Sequence, residues 1–483
     1  MHWVPFLTIH FDNTYATLPD RFFHRQHPAM VSSPALIRVN DSLATELNID
    51  PAWLRSPKGV AMLAGNVVPE GAEPIATVYA AHQFGNWNPQ LGDGRALLLG
   101  EVLSKSGQRF DIQLKGSGPT PYSRGGDGLA PLGPVLREYL VSEAMHALGV
   151  PTSRSLAAVT TGEQVFRETA MPGAVLTRVA RSHIRIGTFQ YFAARGDTDA
   201  LVALADHVLA RHYPYYPGAL DDAERYRRLL REVIANTARL VSGWQQIGFI
   251  HGVMNTDNML VSGETIDYGP CAFLDVYHPT KVFSSIDTAG RYAYQNQPDI
   301  AYWNLANFAQ CLLPLLDQNN ETALEIAQTE LSQFPTEFDN HHREGMAKKI
   351  GFETPSEETD AWISELFSLM AEERQDFTLT FTRLSSSLMA GSLTDLPSTF
   401  EPWFSSWLAA GPGLTLMQQK NPVVIPRNHQ VEASIQAALK GSFGSFHKLI
   451  DAVTTPFDLS LVNSPYAEPP KEDEVVQRTF CGT

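Results

Sequence analysis

Cysteine is scarce: Cys271, Cys311 and Cys481 are the only three in 483 residues. A small secreted domain stapled by disulfides would carry more, so a bacterial-type cytoplasmic location is expected. No apolar run approaches the ~18 residues that would suggest a membrane span. The opening MHWVPFLTIHFDNTYATLP shows neither a basic n-region nor a sustained apolar h-region, so no secretory signal is expected. Basic residues are also few, with 36 Lys and Arg against 52 Asp and Glu, a formal net charge of -16. The overall field would repel a polyanion, so no nucleic-acid partner is expected. No G-x-S-x-G nominates a serine nucleophile, and no G-x-G-x-x-G follows a strand. His341-His342 lacks a metal-ligand pattern. There is no internal repeat and no low-complexity run.

What is present is an ordered change of pattern along the chain. Residues 1-70 are punctuated by Pro, Asn and Asp, and are expected to wrap a neighbouring lobe. Two apolar runs flank a Ser-Gly turn in GRALLLGEVLSKSGQRFDIQLKG (Gly94 to Gly116), which predicts a hairpin. PVLREYLVSEAMHALG has Pro134 at its start and Gly149 at its end. Leu136, Leu140, Ala144, Met145 and Leu148 recur at helical spacing within it, which predicts a helix. From about 197 to 250 and again from 284 to 450 the pattern is helical. MLVSGETIDYG (Met259 to Gly269) reads as a short hairpin. This order predicts an α+β, two-lobed, protein-kinase-like fold. A nucleotide-binding region would occupy 71-185, a mostly helical lobe 186-464, and a mobile tail 465-483.

Several residues could carry phosphate chemistry. Lys115 closes a predicted strand, and Glu138 lies on the helix that follows. A kinase pairs such a Lys with such a Glu to hold nucleotide phosphates, although either alone could be a surface residue. In LGDGRA, Gly92 and Gly94 would let backbone N–H groups approach a nucleotide, with Arg95 adding charge, or the stretch is ordinary turn chemistry. SRGGDGLAP holds Asp127 and Gly128, in a pocket-lining loop or a simple Ω-loop. Arg178, Arg181 and Arg185 form a cluster that suits phosphate or a solvated face. HGVMNTDN (His251 to Asn258) reads as a kinase catalytic loop, yet Val253 stands where the catalytic Asp belongs. Asp257 is the nearest carboxylate, either a displaced base or a turn former. Asn258 and Asp267, the latter opening DYGP, offer one amide and one carboxylate oxygen to Mg²⁺. His82 and His251 read as hydrogen-bonded structural histidines.

The blocks YAAHQFGNWNPQLGDGRALLLGE, QLKGSGPTPYSRGGDGLAPLGPVLREYLVSEAMHALGVPTSRSL and HGVMNTDNMLVSGETIDYGPCAFLD resemble the selenoprotein O (SelO/YdiU) family. Its members look like pseudokinases but act as protein adenylyltransferases. The chain departs from the family pattern at Ala81 and Asn88. The resemblance implies ATP bound in a flipped orientation, with the α-phosphate facing a Ser, Thr or Tyr hydroxyl of a protein acceptor. It implies Asp257 as proton acceptor and Asn258 and Asp267 as ligands of Mg²⁺ or Mn²⁺. Gly92, Gly94, Arg95, Lys115, Asp127, Gly128, Arg178, Arg185 and Asp267 would contact the nucleotide, with Glu138 supporting Lys115. UTP is an alternative donor. A reversible Cys271–Cys481 disulfide is a further implication. An ordinary O-kinase and a non-catalytic nucleotide-binding regulator stand as alternatives.

Overall fold

The computed structural model describes residues 9-214 and 222-480. The fold is α+β, with a sheet-rich half followed by a helical half. The main strands are β1 (Phe23–Arg25), β2 (Ala35–Val39), β3 (Ile75–Gln83), β4 (Asn86–Gly92), β5 (Ala96–Leu103), β6 (Arg109–Lys115), β7 (Ala130–Pro131), β8 (Arg154–Phe166) and β9 (Ala170–Ala180). They form one sheet ordered β1-β3-β5-β6-β9-β8-β2, with β4 paired to β3 and β7 to β9. Every pairing is antiparallel. The expected hairpin is β5–β6. Residues before 70 do more than wrap: β1 and β2 lie at the two ends of the sheet's strand path.

Strand alternation separates the core from the chemistry. Successive strand residues point to opposite faces. On β6, Phe110, Ile112 and Leu114 join a core with Leu43, Leu54 and Leu63 from the helices before β3. The intervening Asp111, Gln113 and Lys115 therefore face the other way. On β9, Val175 and Val179 enter the same core, while Arg178 falls on the face of Lys115. The pairing register sets Gln113 opposite Arg178.

The helix Leu132–Ala147 packs on that second face, buried on nearly every side. It starts two residues before Pro134. It ends where Gly149 adopts φ 80° and Val150 N–H bonds to Met145 O at 3.0 Å. Such left-handed closure favours glycine at the helix end. In the helical half, β10 (Phe249–Ile250) pairs with β11 (Ala272–Phe273). That short ladder brings the segments 251-258 and 267-271 side by side. Between them, Met259 and Thr265 form a single antiparallel bridge around Gly263, a minimal version of the expected hairpin.

The segment around Thr479 is seated against this region. Thr479 is buried, and its N–H donates to Phe283 O at 2.8 Å. Its hydroxyl donates to Pro270 O. The segment expected to be a mobile tail is thus anchored at Thr479. Among the described residues, no helix is long and apolar enough to cross a membrane.

Candidate active site

A cavity of about 570 Å³ opens between the two halves. Gly92, Gly94, Arg95, Lys115, Asp127, Gly128, Arg178, Arg185, Asp257, Asn258 and Asp267 all line it, although they span 176 positions of sequence. Val253 lines it too.

Its floor is a buried charge cluster. Lys115 Nζ lies 2.5 Å from Glu138 Oε2 and 3.1 Å from Asp267 Oδ1. Arg178 Nε donates to Glu138 Oε1 at 2.6 Å, and Arg178 Nη2 lies 3.9 Å from Asp267 Oδ1. Glu138 therefore serves two cations, where the sequence suggested one. Burial alone would raise both carboxyl pKa values. For Glu138, Arg178 and Lys115 reverse that and hold it below the usual range. For Asp267, Lys115, Arg95 and Arg178 hold it far below that range. These neighbours favour the ionised form of Asp267. It sits at φ 66°, a left-handed conformation uncommon for a non-glycine residue. Tyr268, in the place of a kinase Phe, is fully buried and shares a hydrogen bond with Thr152.

Asp257 has the opposite environment. Burial pushes its carboxyl up to about 6, only partly offset by Arg185 and by the hydrogen bond from Gln83. Oδ2 accepts from Gln83 Nε2 at 3.0 Å, while the buried Oδ1 has no hydrogen-bond partner. A carboxyl that lines the cavity, with its pKa raised by burial and one oxygen without a donor, suits a proton acceptor. Arg185 Nη1 donates to the Asp257 carbonyl at 2.6 Å, Nη2 lies 3.6 Å from Asp93, and the guanidinium stacks on Tyr79 at 4.5 Å. Asn258 donates its amide nitrogen to Val253 O at 3.0 Å, which leaves its oxygen as a ligand atom.

The two carboxylates thus differ in kind, one held low beside cations and one raised by burial, with a donor on only one of its oxygens. A hard divalent cation fits Asn258 and Asp267, since both present oxygen and phosphates or water can complete the shell. Among the described residues no group of three His, Cys, Asp or Glu side chains could hold a metal. A nucleotide-assisted site needs no such group.

Other expected residues have different surroundings. Asp127 is tied to Arg167 at 2.8 Å, at the outer rim. Arg181 does not line the cavity; its backbone N–H donates to buried Glu264 at 3.1 Å. The glycines are demanded by packing as well as by any ligand. A Cβ on Gly94 would lie 2.8 Å from Tyr122 O, and one on Gly92 would lie 2.7 Å from Thr77 O. His251 is buried, its Nε2 2.8 Å from Ile266 O, and His82 bonds to Gln190. Both are held by hydrogen bonds within the protein. Cys271 is buried and unpaired, with burial pushing its thiol up to about 12. Cys481 lies outside the described residues.

Sequence reading missed Gln83, Asp93 and Asn255. Asp93 accepts from Thr77 N–H and Oγ1 at 3.0 and 2.6 Å and faces Arg185. It lies inside LGDGRA, so its position between two glycines was the available signal. Gln83 and Asn255 carried no comparable signal.

Comparison with known proteins settles the family. A family model described as "Protein adenylyltransferase SelO" matches residues 5-406. The chain belongs to the SelO family. It is 54% identical to the Protein nucleotidyltransferase YdiU of Bradyrhizobium diazoefficiens over 99% of this chain and 100% of that one. It is 55% identical to the Rhodopseudomonas palustris YdiU at the same coverage. With the Nitrobacter hamburgensis YdiU it shares 52% identity, over 98% of this chain and 96% of the other.

Proposed function

We propose that this SelO-family chain transfers AMP from ATP to Ser, Thr or Tyr hydroxyls of proteins, releasing pyrophosphate. The observation that carries the reading is the division of labour at the cavity. Lys115, Arg178 and Arg185 supply positive charge, and Asp257 supplies an unpartnered carboxylate oxygen. In the reaction the acceptor oxygen bonds to the α-phosphorus, and the bond from that phosphorus to the pyrophosphate oxygen breaks. The hydroxyl proton passes to the Asp257 carboxylate. Lys115, Arg178 and Arg185 neutralise charge on the phosphates, in an environment where fixed charges act strongly. Mg²⁺ or Mn²⁺ held by Asn258 and Asp267 would add Lewis-acid neutralisation of the phosphate oxygens. Arg95, Gly92, Gly94, Asp127 and Gly128 would position the nucleotide, and UTP is an alternative donor.

This reading includes a kinase-like fold with the nucleotide reversed. Val253 cannot accept a proton, which speaks against γ-phosphoryl transfer at the usual position. The retained pair Asn258 and Asp267 speaks against a scaffold without chemistry, which has less need of two metal ligands. We also propose a reversible Cys271–Cys481 disulfide; Thr479, bonded to Pro270 O, holds the chain close to Cys271.

The test is labelling of a generic protein acceptor with ATP carrying label at the α- or the γ-phosphate, with Mg²⁺ or Mn²⁺. Label arriving from the α-position only, and lost in Asp257→Ala and Asp267→Ala, is expected. Label from the γ-position only would mean a kinase. No label, with ATP still bound, would favour the regulator.

A further inference from the structure

The turn joining β3 to β4 is fastened to the catalytic loop by three hydrogen bonds from successive residues. His82 N–H donates to Thr256 Oγ1 at 2.8 Å, Gln83 Nε2 to Asp257 Oδ2 at 3.0 Å, and Phe84 N–H to Asn255 Oδ1 at 2.9 Å. The loop belongs to the helical half and the turn to the sheet, more than 170 residues away in sequence. Phe84 takes φ 52° at this point, a conformation uncommon for a bulky residue, and Gly85 follows at φ 82°. Its ring meets Tyr292 edge-on at 5.2 Å, and the Tyr292 hydroxyl donates to the same Asn255 oxygen at 2.7 Å. The surroundings therefore hold the turn in a strained shape, of the kind that persists only where neighbours over-determine it.

Gln83 is the one member of this clasp whose side chain reaches the proposed base. Asn88 Nδ2 donates to Gln83 Oε1 at 3.3 Å. With the amide oxygen so engaged, its NH₂ group is the end presented to Asp257. An ionised carboxylate accepts only, so the pair can form in this sense alone. One carboxylate oxygen is thereby occupied and the other left without a donor.

We infer that Gln83 is a positioning residue for Asp257, fixing the orientation of the carboxylate that takes the acceptor's proton. This rests on the nucleotidyl-transfer reading. Without the hydrogen bond the carboxylate can rotate, and either oxygen can turn toward Arg185 or solvent. A base displaced by a fraction of a hydrogen-bond length loses rate without loss of nucleotide affinity. The residue also explains why a loop with Val253 in place of the usual Asp needs a second support: Asp257 lies four residues further on and must be held there.

Gln83→Met keeps the side-chain length and removes the donor. In the full-length protein, with α-labelled ATP and a generic acceptor, kcat is expected to fall roughly ten- to a hundredfold, as when a general base is misplaced. Gln83 lines the cavity, but the bond removed is the one to Asp257, so KM for ATP should stay within about twofold. Asn88→Ala, which leaves Gln83 in place but frees its amide, should show a smaller fall with the same split. Gln83→Met in an Asp257→Ala background should cause no further loss. Parent kcat in Gln83→Met while Asp257→Ala is inactive would overturn the inference and leave the proposed reaction standing. Parent kcat in Asp257→Ala would overturn both. A raised KM with kcat kept would make Gln83 part of the cavity wall only. If Gln83→Met melts early, Asn88→Ala decides: a fall in kcat at constant KM supports the inference, and parent kcat overturns it.

Discussion

Replacing Glu138 by glutamine keeps the volume of the side chain and removes one charge from the floor of the cavity. The carboxylate is 2% exposed and lies 2.5 Å from Lys115 Nζ and 2.5 Å from Arg178 Nη2, with those side chains 8% and 4% exposed. Breaking a buried pair by removing one partner costs about 3–5 kcal/mol, because a buried charge is left uncompensated. Here two cations lose their partner at once. Asp267, already 3.1 Å from Lys115 and 3.9 Å from Arg178, is the remaining carboxylate and moves to serve them. That compensation places the expected loss near the lower end, about 3 kcal/mol. It also has a functional cost. An Asp267 drawn onto Lys115 and Arg178 is less available to a divalent cation, so the half-saturating Mg²⁺ concentration should rise at least tenfold, about 1.4 kcal/mol. Thermal midpoint and half-life, compared at one scan rate, measure the first effect, since large chains often unfold irreversibly. Initial rates across a Mg²⁺ titration measure the second. Glu432→Gln is the control: its partner Arg137 sits beside Glu138 in sequence, but Glu432 is 39% exposed. Arg137 itself is 8% exposed, so this pair costs more than a surface pair to break, but it lies outside the Lys115–Arg178–Asp267 cluster and should leave the Mg²⁺ requirement unchanged. A Glu138→Gln variant that melts with the parent would refute the view that this cluster depends on Glu138. An unchanged Mg²⁺ requirement would refute the coupling to Asp267.

Glu264 is buried, and burial pushes its carboxyl up to about 7 against the partial relief given by Arg181 and Ser262. The folded pKa exceeds the unfolded value of about 4.3, so its contribution is complete below that value and is lost as pH rises through 7. Glu264→Gln should therefore flatten the fall in stability between pH 5 and 8, by up to about 3 kcal/mol, in denaturant melts across that window; an identical pH slope in both proteins would refute it. Gly94→Ala should push the 120-128 loop away, because its Cβ would meet Tyr122 O at 2.8 Å; ATP affinity by calorimetry should weaken about tenfold or more. Unchanged affinity would mean the loop does not shape the nucleotide site. Non-reduced digests of oxidised protein should yield a linked Cys271–Cys481 peptide by mass spectrometry; separate, alkylatable peptides under oxidising conditions would exclude the disulfide.

The α+β order, the hairpin around the Ser-Gly turn and the helix closed by Gly149 are legible in sequence because each depends on local pattern. Alternation along β6 likewise separates Phe110, Ile112 and Leu114 from Lys115 without reference to the rest of the chain. The loop HGVMNTDN and DYGP could be read as a unit because their residues lie within a few positions of one another. Tertiary structure alone decided that Glu138 serves Arg178 as well as Lys115, that Arg181 leaves the cluster, and that β1 and β2 complete the sheet. It also decided the opposed states of Asp257 and Asp267, two carboxylates ten residues apart in one loop region. The physical reason is that a carboxyl's ionisation follows burial and the charges around it. Those were brought by Gln83, Lys115, Arg178 and Arg185 from strands and turns remote in sequence, where no local pattern records them.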